Sequence, residues 1–442
     1  MSRRTIDVNE RLPLLQSIPL SLQHLFAMFG ATVLVPILTG FDPSVALFTG
    51  GVGTLIYILV TKGKVPAYLG SSFAVITGFA LINKTWGDPH AAMAGALALG
   101  LVYVAVALLV GAIGIKWLDR LFPPVVIGSV VAIIGLGLAG VAVNMAGLTP
   151  NTQIPAGKET AWVLTSVFTL LVVVVGSVRF KKFLGIIPIL VGIIAGYVFA
   201  LLMGLVNFKP VVDARWFALP HFVTPAWTPH SAAAALLMAP IAIVLITEHI
   251  GHLLVTNKIV GRDFTKDPGL HRSLLGDGLA STFAALVGGP SATTYGENIG
   301  VLAITRVFSV WVLGGAAVIA IVLSFVQKLG ALIGTIPQPV MGGVSIALFG
   351  VIAAAGTRLF VEAKVDFSNK RNLMLASVIL VLGVGGASLH FGNFTLDGLT
   401  LATVVGVLLN LALPEAVDEA ESGETAAAAQ GSSRAQVAAT KE

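Results

Sequence analysis

The chain has 442 residues, of which 56% are hydrophobic and only 11% charged, against roughly 25% charged in an ordinary soluble domain. With no cysteine, it excludes disulfides, thiolate nucleophiles and iron–sulfur or zinc–thiolate centres, and its net charge of +5 reads as basic loops on one side of a membrane, not as a nucleic-acid surface. Apolar stretches of about 18 or more residues recur from Leu15 to Leu413, each long enough to cross a hydrocarbon core, so composition alone sets the class: an all-α polytopic membrane protein.

The first dozen residues are polar and lack a cleavable signal pattern, so the first span is expected to stay as an anchor. Fourteen spans are predicted, near residues 15–40, 44–61, 66–82, 90–115, 121–146, 161–178, 183–206, 233–257, 270–288, 294–306, 307–327, 336–354, 371–389 and 396–413. Two of them are short and interrupted by glycine. Residues 67–76 contain Gly70 between Leu69 and Ser71, and residues 294–306 contain Gly296 and Gly300 beside the carboxylate of Glu297. Paired interruptions of this kind in the two halves of a transporter point to its binding site. The last stretch, 415–442, is rich in Ala, Glu and Ser with no apolar face and is expected to be a disordered cytoplasmic tail.

Loop charge orients the chain. Alternate loops hold nineteen Lys and Arg on one side and only Lys84, Lys158, Lys209, Arg215 and Lys328 on the other. The rich side is cytoplasmic, which places both termini inside. Residues 124–135 match residues 339–350 without a gap, pairing Gly128 with Gly343, Ala132 with Ala347 and Gly135 with Gly350. Gln23 and His24 in span one likewise mirror Glu248 and His249 in span eight. The matched spans are seven apart, an odd number, so the second half must lie upside down relative to the first. The expected architecture is a 7+7 inverted repeat in which broken spans three and ten are partners.

Ionisable groups inside spans are few, and a central charge costs roughly 2.5–3.5 kcal/mol on insertion scales, so such residues face a cavity or a partner. The candidates are His24, Glu248, His249, His252, Asp277 and Glu297. Glu248 and His252 are four residues apart, share a helix face and can hold one proton between them; otherwise they are a structural pair at a helix–helix contact. The same stretch is not the His-Glu-x-x-His of a zinc protease, and no metal site is expected. Glu297 lies where backbone N–H groups are freed, as do Ser71, Ser72 and Phe73 in span three. Carboxylate acceptors, helix N-terminal donors and an aromatic face suit a flat, neutral heterocycle with alternating N–H and C=O groups, whereas a sulfate-like anion would want basic side chains.

Other residues carry weaker signals. His24 reads as a buried hydrogen-bonding partner, and His249, facing away from the Glu248–His252 stripe, as structural. Asp277, between Gly276 and Gly278, either supports the site or bonds a neighbouring helix. Tyr295 either stacks on the ligand or anchors the turn. Phe349 sits on the repeat-matched span twelve, where it would line an interface between moving parts.

At these residues the chain resembles the nucleobase–ascorbate transporter (nucleobase:cation symporter) family. The family signature, an acid or Gln followed by Asn-x-Gly-x4-Thr and a basic residue, reads here as Glu297, Asn298, Gly300, Thr305 and Arg306, and Gln23-His24 is a second family mark. Residues 68–73, 248–252 and 294–298 look like the bacterial uracil-permease subgroup, and the likeness covers nearly everything but the tail. The resemblance implies a cytoplasmic N-terminus (1–14), a core domain of spans 1–4 and 8–11 (15–115 and 233–327) and a gate domain of spans 5–7 and 12–14 (116–232 and 328–414). Uracil would lie between the extended pieces of spans three and ten, beside Ser72 and Tyr295. Glu248 and Glu297 would accept its N–H groups, and the backbone N–H groups of Phe73 and Gly296 would meet its carbonyls. Glu248 and His252 would couple proton uptake to transport, with His24, Gln23, Asn298, Asp277 and Phe349 in support. The subgroup has a tyrosine where this chain has Phe349, which removes one hydroxyl from the site.

It further implies elevator-like import of uracil by proton symport, a homodimer joined through the gate domains, a place in the bacterial cytoplasmic (inner) membrane, and no cofactor beyond the proton. A purine (xanthine or uric acid) symporter of the same family and an anion exchanger of the same fold are the competing readings. No nucleophile–base or metal constellation suggests an enzyme.

Overall fold

The computed structural model describes residues 5–414, apart from 151, 182, 392 and 393; the stretch 415–442, expected to be a disordered tail, lies outside the described residues. In chain order the principal helices and the first two strands are α1 (Leu14–Thr39), α2 (Pro43–Val60), β1 (Leu69–Ser71), α3 (Ile76–Thr85), α4 (Pro89–Ile113), α5 (Pro124–Gly137), α6 (Glu159–Arg179), α7 (Pro188–Leu202), α8 (Ile241–Val260), α9 (Leu270–Val287), β2 (Ala292–Thr294), α10 (Gly296–Thr305), α11 (Val310–Ser324), α12 (Gln338–Glu362), α13 (Lys370–Val384) and α14 (Gly398–Ala412). A small hairpin of Leu389–Phe391 and Phe394–Leu396 precedes α14. Seven helices among the described residues, the stretch 231–260 that ends in α8 included, are long and apolar enough to cross a membrane.

Local chemistry sets several boundaries. Asp42 and Asp88 cap α2 and α4 by accepting backbone N–H groups, each just ahead of a proline at the first helical position. Asp397 caps α14 in the same way, accepting from the N–H of Thr400 at 2.9 Å. The helix predicted to end near 354 runs on to Glu362 as α12, because no Gly–Pro punctuation interrupts it and Arg358 pairs with Glu362 one turn on, at 2.9 Å.

β1 and β2 pair antiparallel, with Leu69 opposite Thr294, Gly70 opposite Thr293 and Ser71 opposite Ala292. Hydrogen bonds from Tyr295 N to Tyr68 O and from Ser72 N to Ser291 O, both 2.9 Å, extend the ladder at each end. Since each strand runs directly into a helix, the antiparallel pairing sends α3 and α10 away from one another, with their N-termini converging on the strand pair.

Packing divides into two groups. α9 lies against α4 and α2, and α11 against α2 and α1; α12 lies against α5 and α6, α6 against α7, and α13 against α14 and α5. The sequence-matched pair α5 and α12 cross at glycine. A Cβ on Gly135 would stand 2.7 Å from the Ala353 nitrogen, and one on Gly356 would stand 2.6 Å from the Gly128 carbonyl, so these backbones approach as only small residues permit. Near the N-terminus, Ile6 N donates to Arg306 O and Phe308 N donates to Ile6 O, while Asp7 pairs with Arg262 at 2.7 Å. This ties the N-terminal segment to the exits of α10 and α8.

Candidate functional site

The strand pair is a polar island in apolar surroundings. Tyr68, Leu69, Ser71, Ser72, Thr293, Thr294 and Tyr295 are all buried. A strand needs partners for its backbone groups, and each short strand finds them in the other. Beyond the strands the chain turns helical, and the first N–H groups of a helix have no acceptor within it. Phe73 opens a 3₁₀ turn that leads into α3, and Gly296 opens α10. Both expected donor positions therefore stand at helix N-termini, where the peptide dipoles favour negative charge or a carbonyl oxygen.

α8 supplies the wall opposite. Glu248 is 6% exposed, and its Oε2 accepts a hydrogen bond from the Ser72 hydroxyl at 3.2 Å. One turn on, His252 Nδ1 is hydrogen-bonded to the Thr294 hydroxyl at 3.2 Å. The four-residue spacing does put both side chains on one face, but no hydrogen bond or ion pair joins Glu248 to His252 among the described residues. Glu248 is taken by the hydroxyl of Ser72, just after β1, and His252 by that of Thr294 in β2. The imidazole lies close to the start of α10, because a Cβ on Gly296 would be 3.4 Å from His252 Nε2. Gly296 is exposed, and Glu297 and His252 are part-exposed, so space is open in front of the α10 N-terminus.

The remaining candidates fall into place around this centre. The Tyr295 ring lies over Gly70; its hydroxyl donates to the Ser71 carbonyl at 3.1 Å and accepts from Thr32 at 3.3 Å. The side chain is thus committed to the strand pair. Asn298 donates from Nδ2 to both His24 Nδ1 and His24 O, each at 3.1 Å, which joins α10 to α1 in the buried interior and makes Nδ1 of His24 an acceptor. Gln23 sits apart, in a cleft with Leu20, Phe183 and Thr305 at the far end of α10. Phe349 of α12 meets Phe73 edge to face, ring centroids 5.6 Å apart, so an aromatic from the second packing group closes over the helix start.

A buried network went unread in the sequence. His249 and Asp277, both 0% exposed, pair at 2.7 Å from Nδ1 to Oδ2, and His249 Nε2 lies 2.8 Å from Ser273 Oγ. Ser273 in turn meets the Tyr57 hydroxyl at 2.6 Å, and Tyr103 donates to Asp277 at 3.3 Å. Asp277 therefore bonds the neighbouring helix α8, one of its two expected roles. The available signal was two tyrosines inside apolar spans and a serine one turn before Asp277. Behind Glu248, this network locks α8 to α9, α2 and α4.

In sum, the site offers two carboxylates, two helix starts, an imidazole and an edge-to-face aromatic pair. It can accept hydrogen bonds from a ligand's N–H groups and donate to its carbonyls, and it holds groups that can carry a proton. The model for the Permease family matches residues 15–391. A uracil permease of Paenibacillus larvae is 54% identical over 417 residues, 93% of this chain and 97% of that one. A uracil permease of Bacillus subtilis is 53% identical over 405 residues, 90% of this chain and 93% of the relative. Among solved structures, the transmembrane domain of a cyanobacterial bicarbonate transporter, BicA, superposes with a TM-score of 0.62 at 14% identity, covering 91% of this chain and 98% of that domain. That likeness is one of fold.

Proposed function

This chain belongs to the Permease family, and on that premise we propose that it is a secondary active transporter importing uracil by proton symport. The observation that carries the reading is the convergence of Glu248, Glu297 and the helix starts at Phe73 and Gly296 on one strand pair. Uracil alternates two N–H donors with two carbonyl acceptors around a flat ring. Two carboxylates and two backbone N–H groups supply the complementary set, and the relatives named as uracil permeases support the assignment.

In this reading the carboxylate of Glu248 and the imidazole of His252 carry the proton. They do so beside the hydroxyls of Ser72, bonded to Glu248, and Thr294, bonded to His252. An uncompensated charge resists burial, so a site that has taken up both proton and neutral ligand is the one that can move. The two packing groups are the moving parts: spans 1–4 and 8–11 as core, spans 5–7 and 12–14 as gate, arranged as fourteen spans in a 7+7 inverted repeat with both termini cytoplasmic in a bacterial inner membrane. The chain works as a homodimer through its gate domains. His24, Asn298 and Asp277 position the elements that carry the ligand contacts, Tyr295 shapes the strands, and Phe349 closes the pocket against Phe73. Uptake of radiolabelled uracil into proteoliposomes under an imposed proton gradient tests the proposal directly.

A further inference from the structure

At the cytoplasmic end assigned by loop charge, a cleft of about 570 Å³ opens between α8 on one side and α5 and α12 on the other. Apolar side chains line both sides, Pro124 and Ile127 of α5, Leu254 of α8 and Leu359 of α12, together with the charged Lys258, Arg262, Asp263 and Glu362. Toward the bilayer interior the cleft ends where the helices touch at Gly251. A Cβ there would lie 3.2 Å from Ile127, 3.4 Å from Leu359 and 3.6 Å from Val131, each a side-chain carbon of the second packing group. Gly251 precedes His252 and follows Glu248 by three residues, so this seal separates the cleft from the candidate site by less than one helical turn. Ile127 and Val131 are each only 3% exposed in this arrangement.

At the mouth, one ion pair spans the two groups. Lys258 of α8 reaches Glu362 of α12, with Nζ 3.1 Å from Oε2 and 3.3 Å from the backbone carbonyl. Arg358 holds the other carboxylate oxygen of Glu362 at 2.9 Å, which fixes the acid in the position Lys258 needs. Lys258 and Glu362 both line the cleft, one on each side of it.

We propose that this cleft is the cytoplasmic passage of the transporter, sealed at Gly251 by Ile127, Val131 and Leu359 and latched at its mouth by the Lys258–Glu362 pair. Any widening that frees the site toward the cytoplasm must pull α8 from α5 and α12, which breaks the seal and lengthens the ion pair together. The charged residues that line it, Lys258, Arg262, Asp263 and Glu362, balance in formal charge, which suits a neutral ligand leaving. The inference rests on the two packing groups being the moving bodies of the proposed function.

The absence of native cysteine makes the test clean. A single Ile127→Cys is introduced, and its reaction with a membrane-impermeant thiol reagent is timed in inside-out vesicles with no substrate present. Lys258→Glu and Glu362→Lys, each added separately, should speed labelling roughly two- to fivefold, the population shift expected from losing a partly exposed ion pair. The double reversal Lys258→Glu/Glu362→Lys should restore the slow rate. Unchanged labelling in both single reversals, or a double reversal that stays fast, overturns the latch; labelling of Ile127→Cys from the opposite face alone overturns the passage. Because no ligand is added, a wrong substrate assignment would leave these rates untouched and show itself only in uptake.

Discussion

The ring of Tyr295 occupies the volume that any side chain at Gly70 would need: a Cβ there would stand 2.6 Å from the ring's Cε2 and hydroxyl oxygen. Gly70 lies in β1 and Tyr295 directly follows β2, more than two hundred positions away in sequence, and the Tyr295 hydroxyl donates back to the Ser71 carbonyl of β1. Glycine at 70 is therefore a steric requirement of the site.

Gly70→Ala should destabilise the folded protein by about 1–3 kcal/mol through overpacking and should abolish uptake by displacing the Ser72–Phe73 turn. Thermal unfolding in detergent together with uracil uptake measures both. Wild-type behaviour in both assays would show that the strands tolerate separation.

Glu248→Gln and Glu297→Gln remove the charged acceptors for ligand N–H groups. Each should weaken uracil binding roughly ten- to a hundredfold, the range for a hydrogen bond to a charged group. Ser72→Ala, which removes the hydroxyl bonded to Glu248, should cost less than either, since the carboxylate remains. Isothermal titration on purified protein orders the three, and an effect of Ser72→Ala larger than that of Glu248→Gln would reverse the assigned roles.

The His249–Asp277 pair is fully buried, so removing one partner leaves the other charge or donor stranded. Asp277→Ala should cost about 3–5 kcal/mol of stability. Asp277→Asn, which keeps an acceptor for His249, should recover a measurable part of the melting temperature. Equal losses in the two variants would mean that the pair does not anchor α8.

Proton coupling predicts that a protonophore collapses uptake and that raising external pH slows it, because the loaded state must bind a proton. A sodium gradient at fixed pH should leave uptake unchanged. Uptake driven equally well by sodium would contradict the coupling.

Much of this was legible in the chain. Apolar runs placed the helices, because a lipid-spanning segment must be apolar along its whole length. Glycine beside polar residues marked residues 67–76 and 294–306 as irregular; β1 lies inside the first stretch, while β2 ends at Thr294, where the second begins. The four-residue spacing placed Glu248 and His252 on one face. It could not give their partners, since Ser72 is 176 residues from Glu248 and Thr294 is 42 from His252; those bonds exist only once the strands pair. Asp277 was open between two roles, and its 2.7 Å contact with His249 of α8 is one that sequence spacing could not give. Glu362 was expected in a loop, and the longer α12 is what carries it to Lys258.

The most direct measurement of the central claim is equilibrium competition binding on purified protein, with radiolabelled uracil displaced by thymine, xanthine, uric acid and sulfate. The account predicts saturable uracil binding, weak competition by the purines, none by sulfate, and no binding to Glu248→Ala or Glu297→Ala protein that still folds. Displacement by xanthine at lower concentration than by uracil itself, or undiminished uracil binding in both alanine variants, would contradict it.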